Sequence, residues 1–273
     1  MTLFSALTAA KGQIDRLDAR LLLQYATGCS HADLLARPET PLMAPAWQQF
    51  AEWVARRAAG EPLAYLVGEA EFRGRVFQVS PAVLIPRPET ELLIELALDK
   101  MRQRTAPKVV DLGTGSGIVA ISLALECRAA AVSAVDLSAP ALDVARSNAG
   151  RLGAEVDFRH GDWFAPLVGQ CFDVIVANPP YVAAGDPHLA LNGLPHEPQM
   201  ALTDQEAGGD GLACIRRIVA DAPAHLAPGG WLLFEHGYDQ GEASRNLLTA
   251  AGFQAASTYP DLAGIDRVTA GYL

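Results

Sequence analysis

Val109-Val110-Asp111-Leu112-Gly113-Thr114-Gly115-Ser116-Gly117 joins a short apolar run to three closely spaced glycines, and an apolar helix-forming run over residues 118–125 follows at once. Strand, glycine turn and helix in that order mark a parallel strand whose chain turns sharply back over its own sheet. Glycines at such a turn allow tight backbone geometry and let a ligand approach the main chain closely. The alternation continues downstream. Strands are expected over 131–136, 156–159, 172–177 and 230–234, helices over 140–152, 212–226 and 240–251, and two closing strands over 253–259 and 267–272. With the first, these make seven strands of a doubly wound, mostly parallel α/β sheet whose last strand runs antiparallel.

Upstream of this pattern, residues 1–70 are expected to form a small bundle of three or four helices. Ile14, Leu17 and Leu21 fall at helical spacing, Ser30 and Asp33 have the spacing of a capping box, and Trp47, Phe50 and Val54 repeat the apolar period. Pro38, Pro41 and Pro45 punctuate a loop, and Gly60 and Pro62 end the last helix. Residues 71–85 predict a β-hairpin linker: Phe72, the turn residue Gly74, then Val76, Phe77 and Val79, closed by Pro81. Pro86-Arg87-Pro88-Glu89-Thr90-Glu91 is expected to open a helix, with proline and carboxylates suited to its first turn, and residues 86–273 form the second domain.

Half of the 273 residues are hydrophobic and 19% are charged, which excludes a disordered chain and a coiled coil. No apolar run approaches the ~20 residues of a membrane span, and residues 1–11 lack a secretory pattern, so the cytoplasm is the expected location. Cys29, Cys127, Cys171 and Cys214 form no C-x-x-C pair and are expected to be reduced, mostly buried thiols. Six histidines without H-x-x-x-H spacing predict no metal site. With 31 acidic against 21 basic residues the net charge is −10, which weighs against broad binding to nucleic acid. Arg56, Arg57, Arg73, Arg75 and Arg87 are the one group that could make a local basic patch, and a solvated or protein-docking face is the expected outcome.

The chemistry is read from three loops. Gly113, Thr114, Gly115, Ser116 and Gly117 follow the first strand of the sheet, and Asp136 ends the next, where a carboxylate can accept both hydroxyls of a ribose. Ile118 stands where a dinucleotide fingerprint carries its third glycine, which favours S-adenosyl-L-methionine, a nucleoside without a pyrophosphate, over NAD. After the third strand, Asp162 is a candidate acceptor for an adenine amino group and Trp163 a candidate ring partner. Asn178-Pro179-Pro180-Tyr181 ends the fourth strand. All carboxyl ends of parallel strands open on one crevice, so these loops converge. A planar amide or aromatic amine nitrogen is a poor nucleophile with two N–H donors. The Asn178 side-chain oxygen and the Pro179 carbonyl are acceptors that can take both, and Tyr181 can stack on the flat group. Residues 182–209 are expected to be a long irregular segment serving as a substrate-binding flap, with His188, His196 and Glu197 as weaker candidate contacts. His236 is assigned to structure.

With those motifs in hand, the chain resembles the N5-glutamine methyltransferases, most closely the branch that methylates the glutamine of the Gly-Gly-Gln motif in peptide chain release factors. The resemblance runs over essentially the whole length. It includes Pro62-Leu63-Ala64-Tyr65-Leu66-Val67-Gly68, Glu71-Phe72, Leu84-Ile85-Pro86-Arg87-Pro88-Glu89-Thr90-Glu91, residues 111–117 and 178–181, Glu197-Pro198, Glu235-His236-Gly237 and Asp266-Arg267-Val268. It implies a Rossmann-like, S-adenosylmethionine-dependent methyltransferase fold. Cofactor binding is implied at Gly113 to Gly117, Asp136, Trp163 and Asn178, substrate-amide binding at Asn178, Pro179, Pro180 and Tyr181, and docking of a release factor by the N-terminal helices of what is expected to be a monomer. Two other readings stand beside it. One keeps the chemistry but acts on a ribosomal-protein glutamine or a nucleic-acid exocyclic amine; the other holds the nucleoside without turnover.

Overall fold

Thr2 and Ser30 each start a helix by the same device. The backbone N–H of Ser5 donates to Thr2 Oγ1 at 3.2 Å and that of Thr2 to Ser5 Oγ at 2.7 Å, while Ser30 and Asp33 form the expected reciprocal pair. These caps open α1 (Leu3–Ala10) and α3 (His31–Ala36); α2 (Arg16–Thr27), α4 (Ala44–Ala58) and α5 (Leu63–Val67) complete a five-helix unit where three or four helices were expected. Helices as short as α1 and α5 span too few turns to show a clear apolar period. The predicted face of α2 is also corrected. Asp15 caps the helix, so Ile14 lies outside it, Leu17 is 62% exposed, and the buried face is Ala19, Leu22 and Leu23. These pack with Leu3, Ala6, Leu34, Phe50, Val54 and Leu66.

The computed structural model describes residues 1–102, 104–191 and 193–273. The chain divides into two units, residues 1–69 with 190–196, and residues 70–189 with 197–273. From the last residue of the first unit onward, β1 (Glu69–Phe72) and β2 (Arg75–Gln78) form the predicted hairpin, and then come α6 (Thr90–Met101), β3 (Lys108–Leu112), α7 (Ile118–Glu126), β4 (Ala131–Asp136), α8 (Ala139–Leu152), β5 (Asp157–His160) and β6 (Phe172–Ala177). After β7 (Val182–Ala184), α9 (Gln199–Leu202) and β8 (Thr203–Ala207) the main pattern resumes with α10 (Ala213–Asp221), β9 (Leu226–Glu235), α11 (Gly241–Ala250), β10 (Gln254–Pro260) and β11 (Asp266–Tyr272). The sheet runs β10-β11-β9-β6-β3-β4-β5; β3 pairs in parallel with both β4 and β6, and β11 is antiparallel to both its neighbours.

Several expectations change in detail. Pro86 and Pro88 precede α6 instead of occupying its first turn. Pro223, with no N–H to give, interrupts the predicted helix over 212–226 with a 3-10 turn at Ala222–His225, and Leu226 already belongs to β9. The segment 182–209 is not irregular: β7 and β8 pair in parallel, and α9 precedes β8. Asn192 within it lies outside the described residues. The four cysteines are free, but none is fully buried and Cys171 is exposed. The five arginines form no basic patch, since each meets a carboxylate: Arg56 with Glu61, Arg57 with Asp18, Arg73 and Arg75 with Glu126, and Arg87 with Glu197. Among the described residues no helix is long and apolar enough to cross a membrane.

The hairpin is part of the second unit's core. Phe72 and Phe77 meet edge to face, with ring centres 6.3 Å apart, and pack with Leu93, Ile94 and Ala97. One buried side chain also ties this hairpin to the glycine loop. Asn148 of α8 accepts the Gln78 N–H at 2.7 Å and donates to the carbonyls of Gln78 at 3.0 Å and Ser116 at 2.9 Å. It thereby fixes the hairpin and the glycine loop to one helix. Asn148→Ala would orphan these groups, and the expected cost is at least about 2 kcal/mol, read as a lower urea midpoint. An unchanged midpoint would show that the clip contributes nothing.

Candidate active site

The loops that leave β3, β4, β5 and β6 at their carboxyl ends wall a cavity of about 430 Å³, within the usual size of small-molecule sites. Gly113, Gly115 and Gly117 all adopt positive φ, of 74°, 55° and 84°. A Cβ on Gly117 would come within 2.8 Å of Ile121 and 3.2 Å of Ala145, so this glycine serves the packing of α7 on α8 and does not line the cavity. On Gly113 a Cβ would meet the Trp163 ring at 3.3 Å, whereas on Gly115 it would meet nothing within 4 Å. The open face of the loop is therefore at Gly115. Thr114 and Ser116 line the wall on either side.

Two carboxyls hold this loop. Asp136 Oδ2 accepts the Gly115 N–H at 2.8 Å and Oδ1 accepts that of Ser138 at 2.8 Å; Asp136 lines the cavity, and each oxygen has a further lone pair to offer. Burial raises its pKa. Beneath it Asp111 accepts the Thr114 hydroxyl at 2.6 Å and the Ala120 N–H at 3.2 Å, and burial pushes its pKa up to about 7. Asp162 and Trp163 lie on the same wall; Arg217 of α10 donates to Asp162 at 2.6 Å, and Trp163 sits at a φ of 45°.

Asn178 and Pro180 line the cavity at the end of β6, but Pro179 and Tyr181 do not. The reason is a set of bonds absent from the local sequence. Asn178 Nδ2 donates to Thr90 Oγ1 at 3.2 Å, Thr90 Oγ1 donates to Glu235 Oε2 at 2.8 Å, and the Tyr181 hydroxyl donates to Glu235 Oε1 at 3.2 Å. Tyr181 is thus turned towards Glu235 instead of presenting its ring to the cavity. Gln240 Nε2 donates to the carbonyls of Tyr181 and Asp210, both at 3.0 Å, and Gly211 passes so close to the Tyr181 carbonyl that a Cβ there would overlap it. Thr90, Glu235 and Gln240 were not among the predicted site residues. Two signals were available: Thr90 and Glu235 fall in runs that carry the resemblance, 84–91 and 235–237, and Glu235 is a carboxylate closing the apolar run Leu232-Leu233-Phe234.

The weaker candidates lie elsewhere. His188 is exposed and pairs with Asp186 at 2.8 Å, and His196 belongs to the first unit. Glu197 is buried, where it accepts from Arg87 at 2.5 Å and from the Ile85 N–H at 3.1 Å, an anchor for Pro198, Met200, Ala201, Thr203 and Asp204, which line the cavity beyond it. His236 is buried between the Gly237 carbonyl and Thr269, and burial lowers its pKa, in keeping with a structural role. Among the described residues no three His, Cys, Asp or Glu side chains are placed to hold a metal.

Burial pushes the Glu235 carboxyl from its ordinary 4.5 up to about 7. The folded state therefore holds this proton more tightly than the unfolded chain, so the stability it contributes is complete below about pH 4.5 and is lost as pH rises through about 7. Replacing it with neutral glutamine removes that dependence. The unfolding free energy of Glu235→Gln, taken relative to the wild type in a urea series, is expected to rise across this window; a flat difference would show that Glu235 is not strained by burial.

Residues 2–68 match the family model described as the PrmC N-terminal domain, and residues 89–193 match the methyltransferase small domain. A methyltransferase structure from Pyrococcus furiosus shares the fold, with a TM-score of 0.54 at 16% identity, covering 81% of this chain and 98% of that one. The release factor glutamine methyltransferase of Bordetella pertussis is 51% identical over 100% of both chains, and that of Burkholderia pseudomallei is 51% identical over 95% of this chain and 93% of its own. Likeness at this level over the full length, on a methyltransferase sheet, makes this chain a member of the release factor glutamine methyltransferase family.

Proposed function

We propose that the protein methylates the side-chain amide nitrogen, N5, of the glutamine in the Gly-Gly-Gln motif of peptide chain release factors, with S-adenosyl-L-methionine as donor, in the cytoplasm and in the service of translation termination. The observation that carries this reading is that Asn178 and the Gly115–Asp136 wall open on one cavity. The residues present suit the cofactor. Gly115 offers open backbone, Asp136 has unspent lone pairs for a ribose, and Asp162 and Trp163 supply an acceptor and an aromatic wall for adenine. When bound, S-adenosylmethionine supplies an electrophilic methyl group on a sulfonium.

The protein's own part is to orient and to stabilise. Asn178 Oδ1, at the cavity wall, accepts one N–H of the substrate amide and so stabilises positive charge growing on a nitrogen whose lone pair is otherwise delocalised. Holding that nitrogen in line accounts for much of the rate. The alkylated nitrogen is acidic enough to lose its proton to water, so no side chain has to act as base. The helices of residues 1–70 serve as the docking surface for the release factor, and the protein works as a monomer. An exocyclic amine of a nucleic acid is disfavoured as substrate by the charge of −10 and by the pairing of the arginines with carboxylates.

The test is incubation with S-adenosylmethionine and an unmodified release factor, followed by peptide mass spectrometry. A methyl group is expected on the Gly-Gly-Gln glutamine; transfer to a ribosomal protein or to RNA instead would overturn the substrate. Asn178→Ala is expected to lose roughly a hundredfold or more in turnover while still binding the cofactor. Asp136→Ala should weaken S-adenosylmethionine binding roughly tenfold to a hundredfold by calorimetry, and equal affinity would remove Asp136 from the cofactor site.

A further inference from the structure

An asparagine at this position has two ends. One is an acceptor and the other carries two donors, they exchange by a half-turn of the side chain, and only the acceptor end can receive the N–H groups of a substrate amide. Something has to choose between them. Thr90, fully buried, lies 3.2 Å from Asn178 Nδ2 and 2.8 Å from Glu235 Oε2. Its hydroxyl has a single proton, and an ionised carboxylate can only accept, so that proton goes to Glu235 and Thr90 can offer Asn178 nothing but a lone pair. The second carboxylate oxygen takes the Tyr181 hydroxyl at 3.2 Å, so both oxygens of Glu235 are held. Donation therefore runs one way, from Asn178 through Thr90 to Glu235. Asn178 Oδ1 is left at the cavity wall, with no hydrogen-bond partner among the described residues.

We propose that Thr90 and Glu235 are positioning residues that set the orientation of the Asn178 amide and keep its oxygen turned to the substrate nitrogen. The proposal rests on Asn178 being the acceptor for the substrate amide. Neither residue needs to touch the reacting atoms. Reversing the direction of donation at Thr90 would turn the NH2 of Asn178 to the cavity, where it would face the NH2 of the substrate, donor against donor.

Turnover of S-adenosylmethionine with an unmodified release factor, assayed above neutrality where Glu235 is ionised, distinguishes the cases in Thr90→Val, Thr90→Ser, Glu235→Gln and Asn178→Ala, each checked by thermal unfolding. Thr90→Val keeps the shape and loses the hydroxyl; its kcat is expected to fall roughly tenfold to a hundredfold, with KM for S-adenosylmethionine within about twofold of the wild type. Thr90→Ser restores the hydroxyl and should recover most of the rate. In Glu235→Gln the new amide can either accept from Thr90 or donate to it, so the direction is no longer fixed and kcat should fall, though by less than in Thr90→Val. Full turnover by Thr90→Val, or Thr90→Ser as slow as Thr90→Val, overturns the positioning role. If Thr90→Val does not fold, full turnover by Thr90→Ala, which also lacks the hydroxyl, overturns it equally. An inactive Asn178→Ala beside a full-speed Thr90→Val defeats this proposal alone, whereas an active Asn178→Ala defeats the acceptor role of Asn178 together with it.

Discussion

Because β3 pairs in parallel with β4 on one side and β6 on the other, the chain crosses the sheet in opposite directions from its middle, and a crevice is left where the two crossovers part. Each chemical group of the site is the product of that constraint. The glycine loop follows β3, Asp136 ends β4, and Asn178 is the first residue after β6. Residues more than sixty positions apart thus share one wall without any local signal that they should. The antiparallel β11 continues the sheet beyond β9, whose last residue, Glu235, is tied to the same site through Thr90 and Tyr181.

This constraint explains what could be read from the sequence. Parallel strands buried on both faces are written as continuous apolar runs, so Ala131–Asp136 and Phe172–Ala177 fall where expected. Once the topology is fixed, the ends of those strands follow, and with them Asp136 and Asn178. The N-terminal helices were less legible. In α2 the choice of face turns on whether the helix begins before or after Ile14, and the Asp15 cap settles it in a way that apolar spacing does not express. The segment 182–209 misled for a related reason: β7 is short, and its partner β8 is parallel and distant, so no hairpin pattern announces the pair.

What the sequence hid most fully are the polar ties. Asn178 and Thr90 are 88 residues apart, Arg87 and Glu197 110, and Thr90 and Glu235 145. Taken alone, Thr90 is a helix-opening residue, Glu197 a loop carboxylate and Tyr181 an aromatic beside a catalytic turn. Their partners change each assignment. Tyr181 becomes an anchor for its loop, and Glu197 becomes a fastening for the residues that wall the cavity. The same holds for Asn148, whose side chain serves a hairpin and the glycine loop at once.

Burying Glu235 is the most expensive of these arrangements, since a carboxylate removed from water loses hydration that two hydroxyl donors only partly replace. An apolar residue at the end of β9 would continue the run Leu232-Leu233-Phe234 and pack without that penalty. What it could not do is give direction. A hydroxyl facing an apolar neighbour is free to donate either way, and the asparagine beyond it would then sample both of its ends. A buried acceptor removes that freedom, because the proton it attracts is the only one Thr90 has. Stability is given up beneath the site, and the site gains a single orientation at the atom where orientation matters.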